Sequence, residues 1–183
     1  MQNATYLTYK EMSERLIGMN LWRSSVDRID WKIANALEED GRMSFADLAE
    51  QVGVSKSPCW NRVRELRKNG VITGFGVKLN PSALGLGVQC FISITISYDA
   101  HSDFEDAVSE HPAIIECHTT AGSSDYLLRL YARSVEQLDE LLRHEISKLP
   151  GVKGTTTTIC LKTIKQNGSL AKLSASLPAR ALR

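Results

Sequence analysis

Residues 44–70 read SFADLAEQVGVSKSPCWNRVRELRKNG, and this stretch decides the fold of the N-terminal half. It contains two short amphipathic helical patterns joined by Gly53. Ala49 is small where two helices would cross steeply, and Gly53, four residues later, can make a turn that few other residues can make. The apolar positions that would bury both helices are Leu48, Val52, Val54, Cys59 and Val63. The pattern predicts a helix-turn-helix, with a plain three-helix bundle as the alternative.

The flanking residues predict where the helices begin and end. Asp27 can cap a first helix that stops at residues 40–42, and Ser44 can cap the second. The third helix begins at Ser55 or Ser57, which are both suitable caps. The helix-turn-helix therefore comprises the second and third of three short helices.

Two β-prone runs follow the third helix. Residues 71–73 and 75–79 predict a β-ribbon hinged at Gly74. Three helices followed by a ribbon predict a winged helix-turn-helix domain over residues 25–80. Residues 1–24 are an N-terminal extension, predicted as an extra helix or a loose arm. They carry charged residues where a signal peptide needs an apolar stretch, and Met12 and Met19 are alternative starts.

The exposed side of the third helix carries side chains that can recognise DNA. Arg and Asn pair bidentately with guanine and adenine edges, and Ser contacts either base or phosphate. Opposite the apolar positions, helical geometry places Ser57, Asn61, Arg64 and Lys68. The side chains that flank this face and suit phosphate and sugar contacts are Lys56, Trp60, Arg62 and Arg67. The alternative for each of them is a solvated surface residue.

Positive charge is concentrated in the same segment. The chain of 183 residues has a formal net charge of only +1. Residues 54–80 carry six basic residues and one acidic residue, whereas residues 81–183 carry ten basic and eleven acidic residues. The first segment therefore has a net charge of +5 and the second −1. Such a concentration is the electrostatic footprint of a surface that binds phosphate, and it indicates double-stranded DNA as a partner.

The second half of the chain alternates between strand and helix patterns. Residues 81–87 are a linker, and residues 88–98 alternate like a half-buried strand. The following elements give the order strand, helix, strand, strand, helix, strand. This order predicts a ferredoxin-like βαββαβ domain over residues 88–165. The fold class is thus α+β, and residues 166–183 are predicted to be a loose C-terminal tail.

Composition and motifs exclude several classes of function. The chain is 43% hydrophobic and 23% charged, a globular balance, and no apolar run approaches the ~20 residues of a membrane span. The four cysteines lack the spacing of zinc or redox motifs and are expected in the core of an intracellular chain. The four histidines lie in different predicted elements, and no catalytic motif is present. We expect no enzyme activity, no metal site, no cofactor and a cytoplasmic location.

Residues 26–81 contain the elements I-D-x-x-I-x-x-x-L-x-x-D-G-R, G-x-S-x-x-x-C-x-x-R-V and G-x-I-x-G, all of them within residues 27–75. In these elements the segment resembles the Lrp/AsnC (feast/famine) regulators. In the second half, IIECHTTAGSSDYLLRL (residues 114–130) is similar to the E-C-H…G-x-x-D-Y-L-L hairpin of the family, and LPGVKGTTTTI (residues 149–159) to its L-P-G-V…T-x-T strand. The resemblance covers about residues 25–165.

The resemblance implies an oligomer that senses a small molecule. In this family the C-terminal domains pair two chains through their sheets, dimers commonly assemble into octamers, and amino acids bind between dimers near the G-x-x-D hairpin. The hairpin residues here are Gly122, Ser123, Ser124 and Asp125. Exposed backbone N–H groups in such a hairpin can hold a carboxylate, and Asp125 can hold an ammonium group. The alternative is a simple turn, which these residue types also favour.

The leading hypothesis is a sequence-specific DNA-binding transcription regulator that responds to a small-molecule effector, with an amino acid as the expected effector. One alternative is an architectural protein that wraps DNA without an effector. Another is an amino-acid-sensing regulatory subunit of an enzyme, because βαββαβ domains serve there too. The net charge of +5 over residues 54–80 argues against that last alternative.

Overall fold

The structure is a computed structural model that describes residues 26–176. It contains two compact units. The helical unit comprises the described residues up to Lys78 together with those from Lys165 onwards, and the sheet unit comprises Leu79–Ile164. The helical unit is therefore built from two separate parts of the chain. The predicted N-terminal extension, residues 1–24, lies outside the described residues.

The helical unit contains four helices packed around a small apolar core. The helices are α1 (Arg28–Glu39), α2 (Phe45–Val52), α3 (Lys56–Lys68) and, after the sheet unit in the chain, α6 (Leu170–Ser176). The buried core residues are Ile33, Ala36, Leu48, Ala49, Val52, Cys59, Val63 and Leu66. They come from α1, α2 and α3 in the helical spacing that the sequence predicts, so the three-helix core is confirmed.

Side-chain caps fix the starts of α1 and α2. The Asp27 carboxylate accepts the N–H groups of Ile29 and Asp30, both at 2.8 Å. The Asp30 carboxylate in turn accepts the N–H of Asp27, which completes a capping box. The Ser44 hydroxyl accepts the N–H of Asp47 at the start of α2. Each bond satisfies a helix N–H that has no partner within the helix.

The turn between α2 and α3 depends on Gly53. This residue has φ of 78°, in the left-handed region that favours glycine, and its N–H donates to the Ala49 carbonyl at 3.0 Å. The cap of α3 is Ser55, so the alternative start at Ser57 is wrong. Pro58 then occupies the third helical position, where a missing N–H leaves no intrahelical bond unmade.

The predicted β-ribbon after α3 does not form. Residues 71–79 contain no strand, although they follow the helix-turn-helix where a wing is expected. The N–H groups of Val71 and Ile72 both donate to the Leu66 carbonyl, at 2.9 and 3.1 Å. The first run is thus used to end α3, and the second run, with Gly74 and Gly76, has no ladder partner within the described residues.

The tail that the sequence predicts as loose also differs in the structure. Residues 170–176 form α6, which packs on α1 and buries Ala171. Glu38 of α1 accepts the Ser169 hydroxyl at 2.6 Å and the N–H of Leu170 at 2.8 Å. The segment is ordered because an acceptor 131 residues away in the chain caps its helix.

The sheet unit has the predicted βαββαβ order. Its elements are β1 (Val88–Ile96), α4 (His101–Glu110), β2 (Ile114–Thr119), β3 (Tyr126–Ala132), α5 (Val135–His144) and β4 (Val152–Cys160). The strands pair antiparallel in the spatial order β2-β3-β1-β4. This arrangement confirms the ferredoxin-like fold, in which both helices cover one face of the sheet.

The core of the sheet unit lies between that face and the two helices. In β1 every second residue is buried, including Cys90, Ile92 and Ile94. Tyr126, Leu128 and Leu130 do the same in β3, and Phe104 and Leu138 approach them from the helices. The alternation predicted for β1 is therefore confirmed. Side chains on the other face of β1 are only half-buried.

The cysteines behave as apolar residues in both units. All four are free thiols; Cys59 and Cys90 are buried, and Cys117 and Cys160 are partly buried. Burial raises the pKa of the Cys59, Cys90 and Cys117 thiols above the ordinary cysteine value, which disfavours the thiolate form.

Candidate DNA-binding surface and ligand hairpin

The outward side of α3 is a polar and basic surface. Its apolar residues Cys59, Val63 and Leu66 are buried against α1 and α2. Of the eight side chains that the sequence assigns to DNA contact, seven are exposed: Lys56, Ser57, Trp60, Asn61, Arg64, Arg67 and Lys68. The helix thus presents hydrogen-bond donors of the types that read base edges, together with cations for phosphates.

Aromatic rings hold two of the arginines on this surface. The Arg64 guanidinium lies over the Trp60 ring, 5.1 Å from its centroid, and the Arg67 guanidinium is 5.8 Å from the centroid of Phe75. Glu65 is the nearest acid to Arg64, at 3.7 Å in an exposed pair. A cation–π contact orients a guanidinium without neutralising it. Both arginines therefore keep their charge for a partner.

Arg62 has a different environment from the other basic side chains of α3. Its Nη1 lies 2.7 Å from an Asp27 oxygen and 2.8 Å from an Asp30 oxygen. The hydrogen bonds from Arg62 to these carboxylates, with Asp30 first, raise the pKa of Arg62 further above its ordinary value. Two carboxylates already compensate its charge, so the structure favours a structural role over the predicted phosphate contact.

Sequence reasoning missed Asp27 and Asp30 as partners of Arg62. Both were assigned only to the start of α1, where they form the capping box. The pair with Arg62 spans 35 residues for Asp27 and 32 for Asp30. The only signal in the sequence was the position of Arg62 on the helix. It lies beside the buried stripe of α3 and not on the opposite, outward side.

The predicted ligand hairpin is residues 121–125, between β2 and β3. Gly122 and Ser123 are exposed, and Ser124 is half-buried. The Thr120 hydroxyl donates to the Ser124 carbonyl, and the Thr120 N–H donates to the Asp125 carbonyl at 2.8 Å. Within residues 26–176 the N–H groups of Gly122, Ser123 and Ser124 donate to no protein acceptor. The hairpin therefore offers free backbone donors to an anion.

Asp125 combines a structural contact with a free oxygen. Its Oδ2 accepts the N–H of Ile96 at 2.9 Å, and its own N–H donates to the Ile94 carbonyl. These bonds fasten the hairpin to the end of β1. Its Oδ1 has no hydrogen-bond partner among the described residues and remains able to accept from a ligand.

A polar cluster beside the hairpin was not predicted. The Tyr126 hydroxyl donates to Glu105 at 2.7 Å and lies 2.8 Å from Nδ1 of His101. Burial is the main cause that raises the pKa of Tyr126 above its ordinary value. A cavity of about 510 Å³ opens here, lined by Glu105, Val108, Ser109, Cys117, His118, Thr119 and Tyr126. These residues come from three elements, α4, β2 and β3, which meet only when α4 packs on the folded sheet.

Two other features of the described chain bear on function. No three His, Cys, Asp or Glu side chains among residues 26–176 are placed to hold a metal ion together. Over the same residues, no helix combines the length and the apolar character needed to cross a membrane.

Comparisons with known proteins match both units. The family described as winged helix-turn-helix DNA-binding matches residues 26–73, and the Lrp/AsnC ligand binding domain matches residues 89–170. A proline dehydrogenase transcriptional activator from Rhizobium radiobacter is 38% identical over 146 residues, 78% of this chain and 94% of the relative. The leucine-responsive regulatory protein of Escherichia coli K12 is 37% identical over 148 residues, 79% of this chain and 90% of the relative.

Solved structures agree with these matches. A transcriptional regulator from Neisseria meningitidis, in complex with L-methionine, is 31% identical and superposes with a TM-score of 0.74. The match covers 76% of this chain and 92% of that one. An AsnC family transcriptional regulator from Agrobacterium tumefaciens is 32% identical with a TM-score of 0.75, over 82% and 99% of the two chains.

A helix-turn-helix with a basic outer face, followed by a ferredoxin-like ligand domain, defines a DNA-binding transcription regulator that responds to a small molecule. The chain belongs to the Lrp/AsnC family. The predicted fold class and the predicted regulatory function are confirmed. Because the relatives are regulators, the expectation that the chain is not an enzyme is confirmed as well.

Proposed function

We propose that the protein is a cytoplasmic regulator that reads its operator with α3 as a homodimer. The observation that carries this proposal is the exposure of seven polar, aromatic or basic side chains on one helix. Asn61 and Arg64 contact base edges, and Lys56, Arg67 and Lys68 contact phosphates. A symmetric dimer places two such helices in successive major grooves, so the operator is roughly palindromic.

We also propose that the effector is an amino acid bound at the hairpin. The free N–H groups of Gly122, Ser123 and Ser124 receive the carboxylate, and Oδ1 of Asp125 receives the ammonium group. The adjoining cavity, next to Tyr126, accommodates the side chain. The Neisseria meningitidis relative binds L-methionine, which supports this class of ligand. The site lies between dimers in an octamer, so the effector alters assembly and thereby operator occupancy.

The DNA proposal is tested by the difference between Arg64→Ala and Lys68→Ala. Operator duplexes are first selected from a random pool, and affinities for operator and random DNA are then measured over a range of salt. Arg64→Ala should reduce discrimination by about 5- to 150-fold, because a base-edge pair contributes ~1–3 kcal/mol. Lys68→Ala should weaken both affinities and make the salt slope about one unit shallower.

The control for these variants is Arg143→Ala, since Arg143 is an exposed cation on α5. It should leave both affinities unchanged. Equal losses on operator and random DNA for Arg64→Ala would contradict base reading and favour an architectural DNA-binding role.

The effector proposal is tested by Asp125→Asn. This variant keeps an oxygen for the Ile96 N–H but removes the charge that attracts an ammonium group. Calorimetry with L-methionine and the other common amino acids should show a 10- to 100-fold loss of affinity, since a charged hydrogen bond contributes ~1.5–3 kcal/mol. Operator binding without effector should be unchanged. In sedimentation the variant should remain a dimer, and added effector should change the dimer–octamer balance less than in the parent protein.

Asp139→Asn, which removes an exposed carboxylate from α5, is the matched control. Unchanged amino acid affinity in Asp125→Asn would mean that the hairpin is only a turn.

A further inference from the structure

Arg62 closes a hydrogen-bond network between α3 and the first turn of α1. Asp27 uses Oδ1 to cap α1 and Oδ2 to accept Nη1 of Arg62. Asp30 divides its oxygens in the same way, with Oδ2 on the Asp27 N–H and Oδ1 on Arg62. The capping box thus fixes the positions of two carboxylates, and the carboxylates fix one guanidinium.

This network is the most enclosed ion pair of the helical unit. The side chain of Asp30 is only 13% exposed and that of Arg62 33%, against 61% for Arg64 and 75% for Lys68 in their pairs with Glu65. An ion pair sheltered from water is screened less by salt than an exposed one. It therefore keeps its geometry under the conditions in which the protein meets DNA.

We propose that Arg62 is a positioning residue, which fixes the rotation of α3 relative to α1 and so aims Asn61 and Arg64 at the bases. The inference rests on the proposed function of α3 and adds a residue that determines specificity without touching DNA. Arg62 was expected to contact phosphate; here it contacts Asp27 and Asp30 instead.

The geometry explains why rotation matters. The side chains of a helix reach about 5–6 Å from its axis, so a rotation of about 20° moves them by about 2 Å. Hydrogen bonds to base edges tolerate only a few tenths of an ångström. Asn61 is adjacent to Arg62 in the chain, and Arg64 is two residues further on. A small rotation of α3 would disrupt both base contacts at once.

The buried side of α3 cannot fix the rotation alone. Cys59, Val63 and Leu66 are the only fully buried residues that the described helix contributes. Apolar contacts are non-directional, and a three-residue stripe permits some rotation about the helix axis. The Arg62 guanidinium adds a directional contact at the edge of the stripe, on the side of α1.

The decisive variant is Asp30→Asn, because the two roles of Arg62 predict opposite results. If Arg62 contacts phosphate, removing a neighbouring carboxylate frees its charge and strengthens DNA binding. If Arg62 positions α3, the same change weakens operator binding. We expect Asp30→Asn and Arg62→Gln each to lower operator-to-random discrimination about tenfold, measured below the unfolding transition of each variant.

Measurements on five variants complete the test. Arg62→Gln should leave the salt slope unchanged, whereas Arg67→Gln should make it about one unit shallower without changing discrimination. Arg62→Lys, which keeps the charge, should recover part of the discrimination. Arg62→Gln in the Asp30→Asn background should cause little additional loss. Asp47→Asn removes a first-turn carboxylate from α2 and should leave discrimination intact.

Stronger operator binding by Asp30→Asn, or a shallower salt slope for Arg62→Gln, would overturn the proposal. So would a loss of thermal stability without any loss of discrimination, since that result would make the network merely structural. Failure of the proposed function would give a different result from failure of the positioning role. If α3 does not read the operator, Arg64→Ala leaves the operator-to-random discrimination unchanged. Unfolding experiments would still show an interaction free energy between Arg62 and Asp30 in that case.

Discussion

The two units are stabilised in different ways. The core of the sheet unit contains 13 buried apolar residues, and backbone ladders connect its four strands. The core of the helical unit contains eight. Since a small core leaves little net stability, individual polar contacts between distant segments contribute a larger share of it. In the helical unit these contacts are the Arg62 network, the cap that Glu38 provides for α6 and the ion pair between Lys172 and Glu39.

The chain allows the two units to be followed separately. Its three tryptophans lie at positions 22, 31 and 60, all before the sheet unit. Trp31 and Trp60 lie in the helical unit, so tryptophan fluorescence reports on that unit, and hydrogen exchange of peptides from residues 79–164 at increasing urea reports on the sheet unit. Separate unfolding curves for the two units are the measurement used in each prediction below.

The largest difference between the two units is expected in the free energy of unfolding that each loses when a glycine, Gly151 in the sheet unit or Gly53 in the helical unit, is replaced by alanine. Both glycines have left-handed backbones, with φ of 69° and 78°. A Cβ at position 151 in the sheet unit would lie 2.2 Å from the Cβ of Ala100, whereas nothing lies within 4 Å at position 53. Gly53→Ala should lower the free energy of unfolding of the helical unit by about 1–2 kcal/mol, from backbone strain alone. Gly151→Ala should lower that of the sheet unit by about 3 kcal/mol or more.

A second substitution, Ala100→Gly, serves as the control for Gly151→Ala. It removes the nearest atom that the new Cβ would meet, whereas the Ser97 hydroxyl, at 2.7 Å, remains, so the double variant should recover only part of the loss. Equal losses at positions 53 and 151 would mean that the close packing around Gly151 adds nothing to the backbone strain.

A smaller effect is expected from removing the cap of α6. Glu38→Ala deletes the acceptor of the Ser169 hydroxyl and of the Leu170 and Ala171 N–H groups. Loss of a helix cap costs about 0.5–2 kcal/mol, so urea unfolding followed by tryptophan fluorescence should shift by that amount. The sheet unit should be unaffected. Glu50→Ala, at an exposed position of α2, is the control. An unchanged tryptophan transition in Glu38→Ala would show that α6 contributes nothing to the helical unit.

The smallest difference between the two units is expected in the stability that each loses as the pH is lowered. In the helical unit the Asp30 N–H is the main cause that lowers the pKa of Asp27, and the Ser169 hydroxyl is the main cause that lowers the pKa of Glu38. Among the described residues of the sheet unit, only the Glu136 carboxyl has a lowered pKa. A carboxyl with a lowered folded-state pKa stabilises the fold above its unfolded pKa, and that contribution is lost as the pH falls through the folded value.

The acid experiment compares the two unfolding curves between pH 6 and pH 3. Ordinary carboxyl pKa values are about 4, so the loss should begin near pH 5 and continue below pH 4. The urea midpoint reported by tryptophan should fall more steeply than that of the sheet unit. Glu38→Gln should make the tryptophan curve less steep. Parallel curves for the two units would indicate that these carboxylates have no special role in the helical unit.

Local patterns predicted most of the fold, and long-range contacts account for what was missed. The caps at Asp27 and Ser44 and the turn at Gly53 involve residues a few positions apart, so the sequence states them directly. The alternation of β1 likewise identifies its buried face. The ribbon over residues 71–79 was wrong because β propensity does not reveal that the first two N–H groups are used to end α3.

The candidate site was predictable to the same extent. The exposed face of α3 follows from helical geometry once its buried stripe is known, and the structure places seven of the eight side chains there. The partners of Arg62 lie more than 30 residues away, and no local pattern indicates them. The Tyr126 cluster beside the hairpin was missed for the same reason, since α4 and β3 meet only in the folded sheet unit.

The division of the helical unit into two parts of the chain affects how the protein is made. A ribosome releases α1, α2 and α3 first, then the entire sheet unit, and α6 only afterwards. At typical elongation rates of ~5–20 residues per second, Ser169 is synthesised roughly ten seconds after Glu38. During this interval the nascent chain carries a helix-turn-helix whose α1 is still uncovered. A message truncated within the sheet unit would yield a protein that lacks α6, so α1 would stay uncovered permanently.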